Sequence, residues 1–163
     1  AQRHRTTWLK QTELISSRPT LEEFLEAYRR CGKEDSLLTI FDTAIRRHVE
    51  AHGDRVRFYG VSTQDGTLVA GIATLEVPEI ALEHHITSFL LPEARKTVAC
   101  TGFLDAWFTD AKTRGSRFLE FDGFWSPGEP SSWKGFSAFK AQYVTNYVRY
   151  PKSLWRWIPK RRS

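Results

Sequence analysis

The sequence predicts a single α/β domain of the α+β kind, with a central mixed, mostly antiparallel sheet and flanking helices. Three observations predict it. The 163 residues fit one domain, and a chain of that size buries roughly 70% of the surface it exposes when unfolded. Eleven Phe, six Trp and five Tyr supply a core and argue against disorder. Helical periodicity fills the first third, strand patterns follow it, and helix and strand then alternate to the end. The expected extent is residues 1–163, with a core over about 20–157 and basic tails.

A short strand is expected over Thr7–Gln11. Thr20, Leu21 and Glu23 then open a helix. Thr20 can cap it and Glu23, three residues on, completes a capping box. Leu21, Phe24, Leu25 and Tyr28 recur at helical spacing, and Gly32 ends the run. A second helix is expected from Ser36 to His52 on the stripe Leu37, Phe41, Ala44, Ile45, His48 and Val49, closed by Gly53. His48 reads as a core or boundary histidine.

Strands follow. Asp65-Gly66 stands between the β-rich runs 56–61 and 68–77, a hairpin signal. Pro78 breaks the second strand, and a third runs from Ile80 to Leu91. His84 and His85 are adjacent in it, so they face opposite sides of the sheet and form no metal clamp. A long helix spans Thr97–Arg114, with Gly115 as its stop, and a strand covers Arg117–Asp122. A Gly/Pro/Ser loop leads to a helix over Trp133–Gln142 and a last strand over Val144–Arg149. There is no GxGxxG, no P-loop and no internal repeat.

Cys31 and Cys100 lie far apart with no metal spacing, and read as reduced thiols of a cytoplasmic protein. Cys100 stands near a helix start, where a thiol can be activated. No metal site is expected. No apolar run reaches the ~20 residues of a membrane span. The net charge of +5 gathers at the ends, in Arg3, His4 and Arg5 and in Arg156, Lys160, Arg161 and Arg162. It suits an anionic partner.

The element order resembles a GNAT-type acyltransferase domain. In that fold two helices flank a splayed pair of parallel strands, and the acyl donor enters the splay. The run Phe118-Leu119-Glu120-Phe121-Asp122-Gly123, then Trp133-Lys134-Gly135-Phe136-Ser137-Ala138-Phe139-Lys140, with Tyr150-Pro151 and Trp155-Arg156, further resembles the second GNAT-like domain of the FemABX family. Those enzymes move amino acids from aminoacyl-tRNA to peptidoglycan precursors. The resemblance implies an aminoacyltransferase with an aminoacyl-tRNA or other anionic acyl donor, a cell-wall-precursor acceptor and no dissociable cofactor. It places the protein in the cytoplasm or at the inner membrane surface.

Carried over residue by residue, Phe139 and Lys140 fall on the family's Phe-Lys pair, where the lysine steadies the oxyanion. On its own pattern Lys140 is equally a surface lysine of an amphipathic helix. Asp122 either orients the amine or caps the Gly123 turn. Lys134 and Ser137, with Arg95 and Lys96 before the long helix, are the candidate substrate-binding residues. FemABX enzymes have two such domains, so the chain stands as a fragment or as a single-domain relative.

The alternative is a coenzyme A-dependent N-acyltransferase using acetyl-CoA. Its usual Q/R-x-x-G-x-G/A loop maps to Arg95–Cys100, with Val98 and Cys100 at the glycine positions. A third reading is a non-catalytic RNA-binding module of the same fold.

Overall fold

The computed structural model describes residues 2–32, 35–125, 127, 131 and 133–147. These fall in two compact units, divided between Phe124 and Trp125.

The first unit is a five-stranded sheet in the order β1-β2-β3-β4-β5. Its elements run α1 (Gln2–Lys10), β1 (Leu14–Ser17), α2 (Leu21–Arg29), α3 (Asp35–His52), β2 (Val56–Thr63), β3 (Leu68–Val77), β4 (Leu82–Leu90), α4 (Ala99–Arg114) and β5 (Phe118–Glu120). The first four strands pair antiparallel, and β4 with β5 pairs parallel. The sheet is therefore mixed and mostly antiparallel.

The local signals act as their chemistry requires. Thr20 and Glu23 form the reciprocal capping box of α2. Gly66 takes φ 87° in the β2–β3 turn, while the Asp65 carboxylate accepts the Thr67 N–H at 3.1 Å. Gly115 ends α4 in the left-handed region at φ 85°.

The first residues depart from the expected strand over Thr7–Gln11. They form helix α1 instead, and the strand comes later, at Leu14. The helix has almost no apolar stripe to read, because Trp8 is its only buried side chain. That one anchor suffices. A β-carbon at Gly102 of α4 would stand 2.6 Å from the Trp8 ring, so the glycine makes the flat seat on which the indole lies. Arg5 Nε adds an ion pair to Asp105 at 2.5 Å.

On one side of the sheet α2 and α3 bury Phe24, Leu25, Tyr28 and Ile45 against Ala73, Phe89 and Leu91. On the other, α4 buries Trp107 and Leu104. Trp107 packs edge-on against Phe121, the residue after β5, at 5.3 Å between ring centroids.

The second unit holds α5 (Trp133–Lys140), shorter than the expected Trp133–Gln142, with turns from Ala141 to Tyr143. Val144–Tyr147 are not strand, contrary to expectation, and the rest of that run lies outside the described residues. So do Tyr150-Pro151, Trp155-Arg156 and the basic carboxyl end. Among the described residues, no helix is long and apolar enough to cross a membrane.

Candidate active site

Two features of β4 set the site. Its antiparallel register with β3 runs Ala73↔Thr87 and then Thr74↔His85, so Ile86 is an extra residue in β4, a β-bulge. Side chains on a regular strand alternate, which would put Glu83, Thr87 and Phe89 on one face. The extra residue reverses that. Glu83 meets Trp107 of α4 on one side of the sheet, whereas Thr87 reaches Tyr28 of α2 and Phe89 packs on Phe24 on the other.

The second feature is the short parallel ladder. β5 pairs with β4 only at Leu82↔Phe118, Glu83↔Leu119 and His84↔Glu120. β4 continues six residues beyond that last pair, through the bulge, while Asp122 turns the other chain aside in the left-handed region at φ 60°. The two parallel strands are thus paired over these three residues, and β4 alone runs on past them.

At the last rung, His84 Nδ1 lies 3.0 Å from Glu120 Oε2, and both side chains are about one-third exposed. Beyond the bulge, the Tyr28 and Thr87 hydroxyls are 3.3 Å apart in a buried contact. On the opposite face Glu83 is fully buried. It accepts from Trp107 Nε1 at 2.8 Å and Ser116 Oγ at 2.9 Å, and pairs with Arg114. Arg114 also pairs with Asp110, which accepts the Tyr59 hydroxyl at 2.8 Å. This network pins α4 to the sheet and so fixes the rung from behind.

β4 leads through a 3₁₀ turn at Pro92–Ala94 into the start of α4. A helix start leaves amides that it cannot bond internally. Thr97 Oγ1 takes the Ala99 amide at 3.2 Å, and the Val98 carbonyl takes those of Thr101 and Gly102. The amides of Val98 and Cys100 take no partner among the described residues. Arg95 and Lys96 are exposed just before them. Burial pushes the Cys100 thiol up to about 11, the direction opposite to the activation a helix start can give.

The other anticipated residues are distributed as follows. Asp122 is exposed in the first unit, two residues past the end of β5. Lys134, Ser137, Phe139 and Lys140 are in the second. There Ser137 Oγ accepts the Trp125 N–H at 2.6 Å and the Lys134 ammonium lies 4.5 Å from the Trp125 ring centroid, so those two gather on one tryptophan. Phe139 packs on Tyr143. Lys140 is buried, at 2% exposure, where a plain surface lysine of the helix would be exposed.

His84, Glu120, Tyr28 and Thr87 escaped sequence reasoning. The partners in each pair are 36 and 59 positions apart and meet only through sheet pairing and helix packing. Among the described residues, no three His, Cys, Asp or Glu side chains form a ready metal-binding group.

No known family's sequence profile matches the chain, and no curated protein does. Its fold does match solved structures. An aminoglycoside acetyltransferase, HMB0005, from an uncultured soil metagenomic sample is similar at 13% identity, with a TM-score of 0.62 over 89% of this chain and 100% of that one. AAC(6')-Iy, in complex with the bisubstrate analogue CoA-S-monomethyl-acetylneamine, is similar at 15% identity and TM-score 0.53 over 88% and 100%. The PaiA N-acetyltransferase from Thermoplasma acidophilum, in complex with coenzyme A, gives 14% and 0.55 over 80% and 89%.

The chain therefore has the GNAT acetyltransferase fold. The expectation of no dissociable cofactor is corrected, since two of these structures of the same fold hold coenzyme A or an analogue built on it. The finer likeness to FemABX enzymes finds no support in them.

Proposed function

We propose that the chain is a coenzyme A-dependent N-acyltransferase, moving an acyl group from acyl-coenzyme A to an amine. One observation carries this. The β4–β5 ladder stops at His84↔Glu120, while β4 runs on through the Ile86 bulge toward the start of α4. That arrangement joins a strand edge for an extended donor, a helix start for its phosphates and a basic side chain at the fork.

The residues present fit the coenzyme. No residue from Arg95 to Gly102 has a positive φ, so Val98 and Cys100 keep the loop's shape without glycine. Their amides, flanked by Arg95 and Lys96, would hold the pyrophosphate. Their β-carbons narrow its approach compared with bare glycine. The bound coenzyme would supply a thioester, an acyl group already activated toward amines.

The chain's own residues do the rest. The Glu120 carboxylate accepts the Nδ1–H of His84, which fixes the tautomer and leaves Nε2 free to take the acceptor's proton. Asp122, beyond the same strand end, attracts the cationic form of the amine. The buried network behind Glu83 holds the rung while this proton moves. Titrating acetyl-coenzyme A into the chain and assaying acetyl transfer to an amine panel tests the reading. Neither binding nor transfer would overturn it.

A second reading is aminoacyl transfer of FemABX type, with Lys140 steadying the oxyanion beside Phe139. The burial of Lys140 favours it, with Lys134 and Ser137 on the substrate side. Transfer from aminoacyl-tRNA that disappears in Lys140→Ala, without any response to acetyl-coenzyme A, would replace the first reading by this one.

A further inference from the structure

Helix α4 opens on a residue that cannot cap it. Val98 stands at the N-cap, where Ser, Thr, Asp or Asn would accept the amide of Cys100 or Thr101. On the acyl-transfer reading the omission has a use. A capping side chain and a bound phosphate compete for the same amides, so an open anion site forgoes the cap. The cost is a first turn that frays more readily, unless something outside the helix holds it.

Helix α1 meets that turn from outside. Its one buried side chain, Trp8, lies flat on Gly102, where a β-carbon would stand 2.6 Å from the ring. Gly102 and Thr101 donate to the Val98 carbonyl at 3.2 and 2.9 Å, so the seat is bonded directly to the N-cap residue. Arg5, one turn before Trp8, pairs with Asp105, about one turn after Gly102. The two helices therefore run antiparallel, and the end of α1 lies beside the start of α4. That end is itself anchored. The Gln11 side chain donates to the Leu14 carbonyl and accepts from the Leu14 amide, both at 2.8 Å, which ties α1 to β1. The indole is thus a strut between the sheet edge and the first turn of α4.

We propose that Trp8 is a positioning residue for the coenzyme. It takes over the work of the missing cap, holding the first turn of α4 so that the amides of Val98 and Cys100 stay presented to the pyrophosphate. This rests on the acyl-transfer reading and adds a distant residue to it. Holding amides in place before the ligand arrives raises affinity by pre-organisation. The rung His84–Glu120 belongs to other elements, so Trp8 governs how tightly the donor binds and not how fast the bound donor reacts.

The test is calorimetric titration of acetyl-coenzyme A into the full chain, as wild type, Trp8→Ala, Trp8→Phe, Gly102→Ala and the double variant Trp8→Ala with Gly102→Ala. Trp8→Ala should bind about tenfold more weakly, the loss expected when about one chain in ten holds the turn in place. Trp8→Phe keeps a flat ring on the seat and should recover most of that loss. Gly102→Ala should weaken binding by lifting the indole, yet add nothing further in the Trp8→Ala background. Where transfer is measured, the loss should fall on KM for acetyl-coenzyme A, with kcat and the amine's KM kept. Without ligand, hydrogen exchange at the Thr101 and Gly102 amides should quicken in Trp8→Ala, a readout that needs no activity. Circular dichroism melts establish that each variant folds, and Gly102→Ala decides by itself should Trp8→Ala fail to. Wild-type binding that both single alanine variants leave unchanged overturns the positioning role alone. So does a fall in kcat as large as the rise in KM. No binding by wild type overturns the acyl-transfer reading and this role together.

Discussion

Glu83 and Thr87 lie four residues apart on one strand yet face opposite sides of the sheet, Glu83 toward Trp107 and Thr87 toward Tyr28. The extra residue Ile86 produces the reversal. Deleting Ile86 should restore regular alternation and turn Thr87 and Phe89 away from α2, or swing Glu83 out of its network. A chain lacking Ile86 is expected to unfold at markedly lower urea concentration and to lose acetyl-coenzyme A binding. A deletion variant that melts and binds like wild type would show that the bulge does not organise the site.

The rung His84–Glu120 makes a kinetic prediction. His84→Ala removes a general base, a contribution typically worth about 10²–10⁴-fold in rate. Glu120→Gln keeps the shape but weakens the hold on the tautomer, so it should lose less. Both losses should fall on kcat, with acetyl-coenzyme A affinity preserved. The same affinity lost in both variants would instead make the rung a binding element.

The buried Glu83–Arg114 pair should be costly to break from one side. Glu83→Ala takes from Arg114 its fully buried partner, though Asp110 and Glu76 remain, and strips the acceptor from Trp107 Nε1, at about 1–3 kcal/mol, which equilibrium denaturation reads directly. A loss below about 1 kcal/mol would place that pair in the range of exposed ion pairs.

Acid should weaken the same region. Burial pushes the Asp110 carboxyl up, but hydrogen bonds from Tyr59 and Arg114, with the charges of Arg114 and Arg18, outweigh it and hold the group below the usual range. A depressed folded-state value stabilises above the unfolded value near ~4 and is lost as pH falls through the folded value. Asp110→Asn should therefore be less stable than wild type at neutral pH, with the gap closing below about pH 4. A gap that persists at low pH would contradict this origin.

Much of the fold was legible because its signals are local. The capping box at Thr20 and Glu23, the Asp65-Gly66 turn and the Gly115 stop each act within four residues. Helix α1 was not, since a single tryptophan seated on a glycine 94 positions away leaves no period to find. The bulge hid for a different reason. Helices cover both faces of β4, so its burial alternates without a break and gives no sign that the faces exchange. The rung His84–Glu120 depends on a parallel pairing that no short window contains. Arg95 and Lys96 stand before α4 by sequence position alone, yet what surrounds them, Thr97 Oγ1 accepting the Ala99 amide, needed the fold.

The central claim is that the fork beyond His84↔Glu120 and the start of α4 together hold an acyl-coenzyme A. Calorimetric titration of acetyl-coenzyme A into wild type and Val98→Asp tests it most directly. The account predicts one molecule bound per chain, and binding weakened at least about tenfold when a carboxylate is placed against the pyrophosphate, the cost of ~1.4 kcal/mol of repulsion. No heat with wild type, or equal affinity in Val98→Asp, would contradict it.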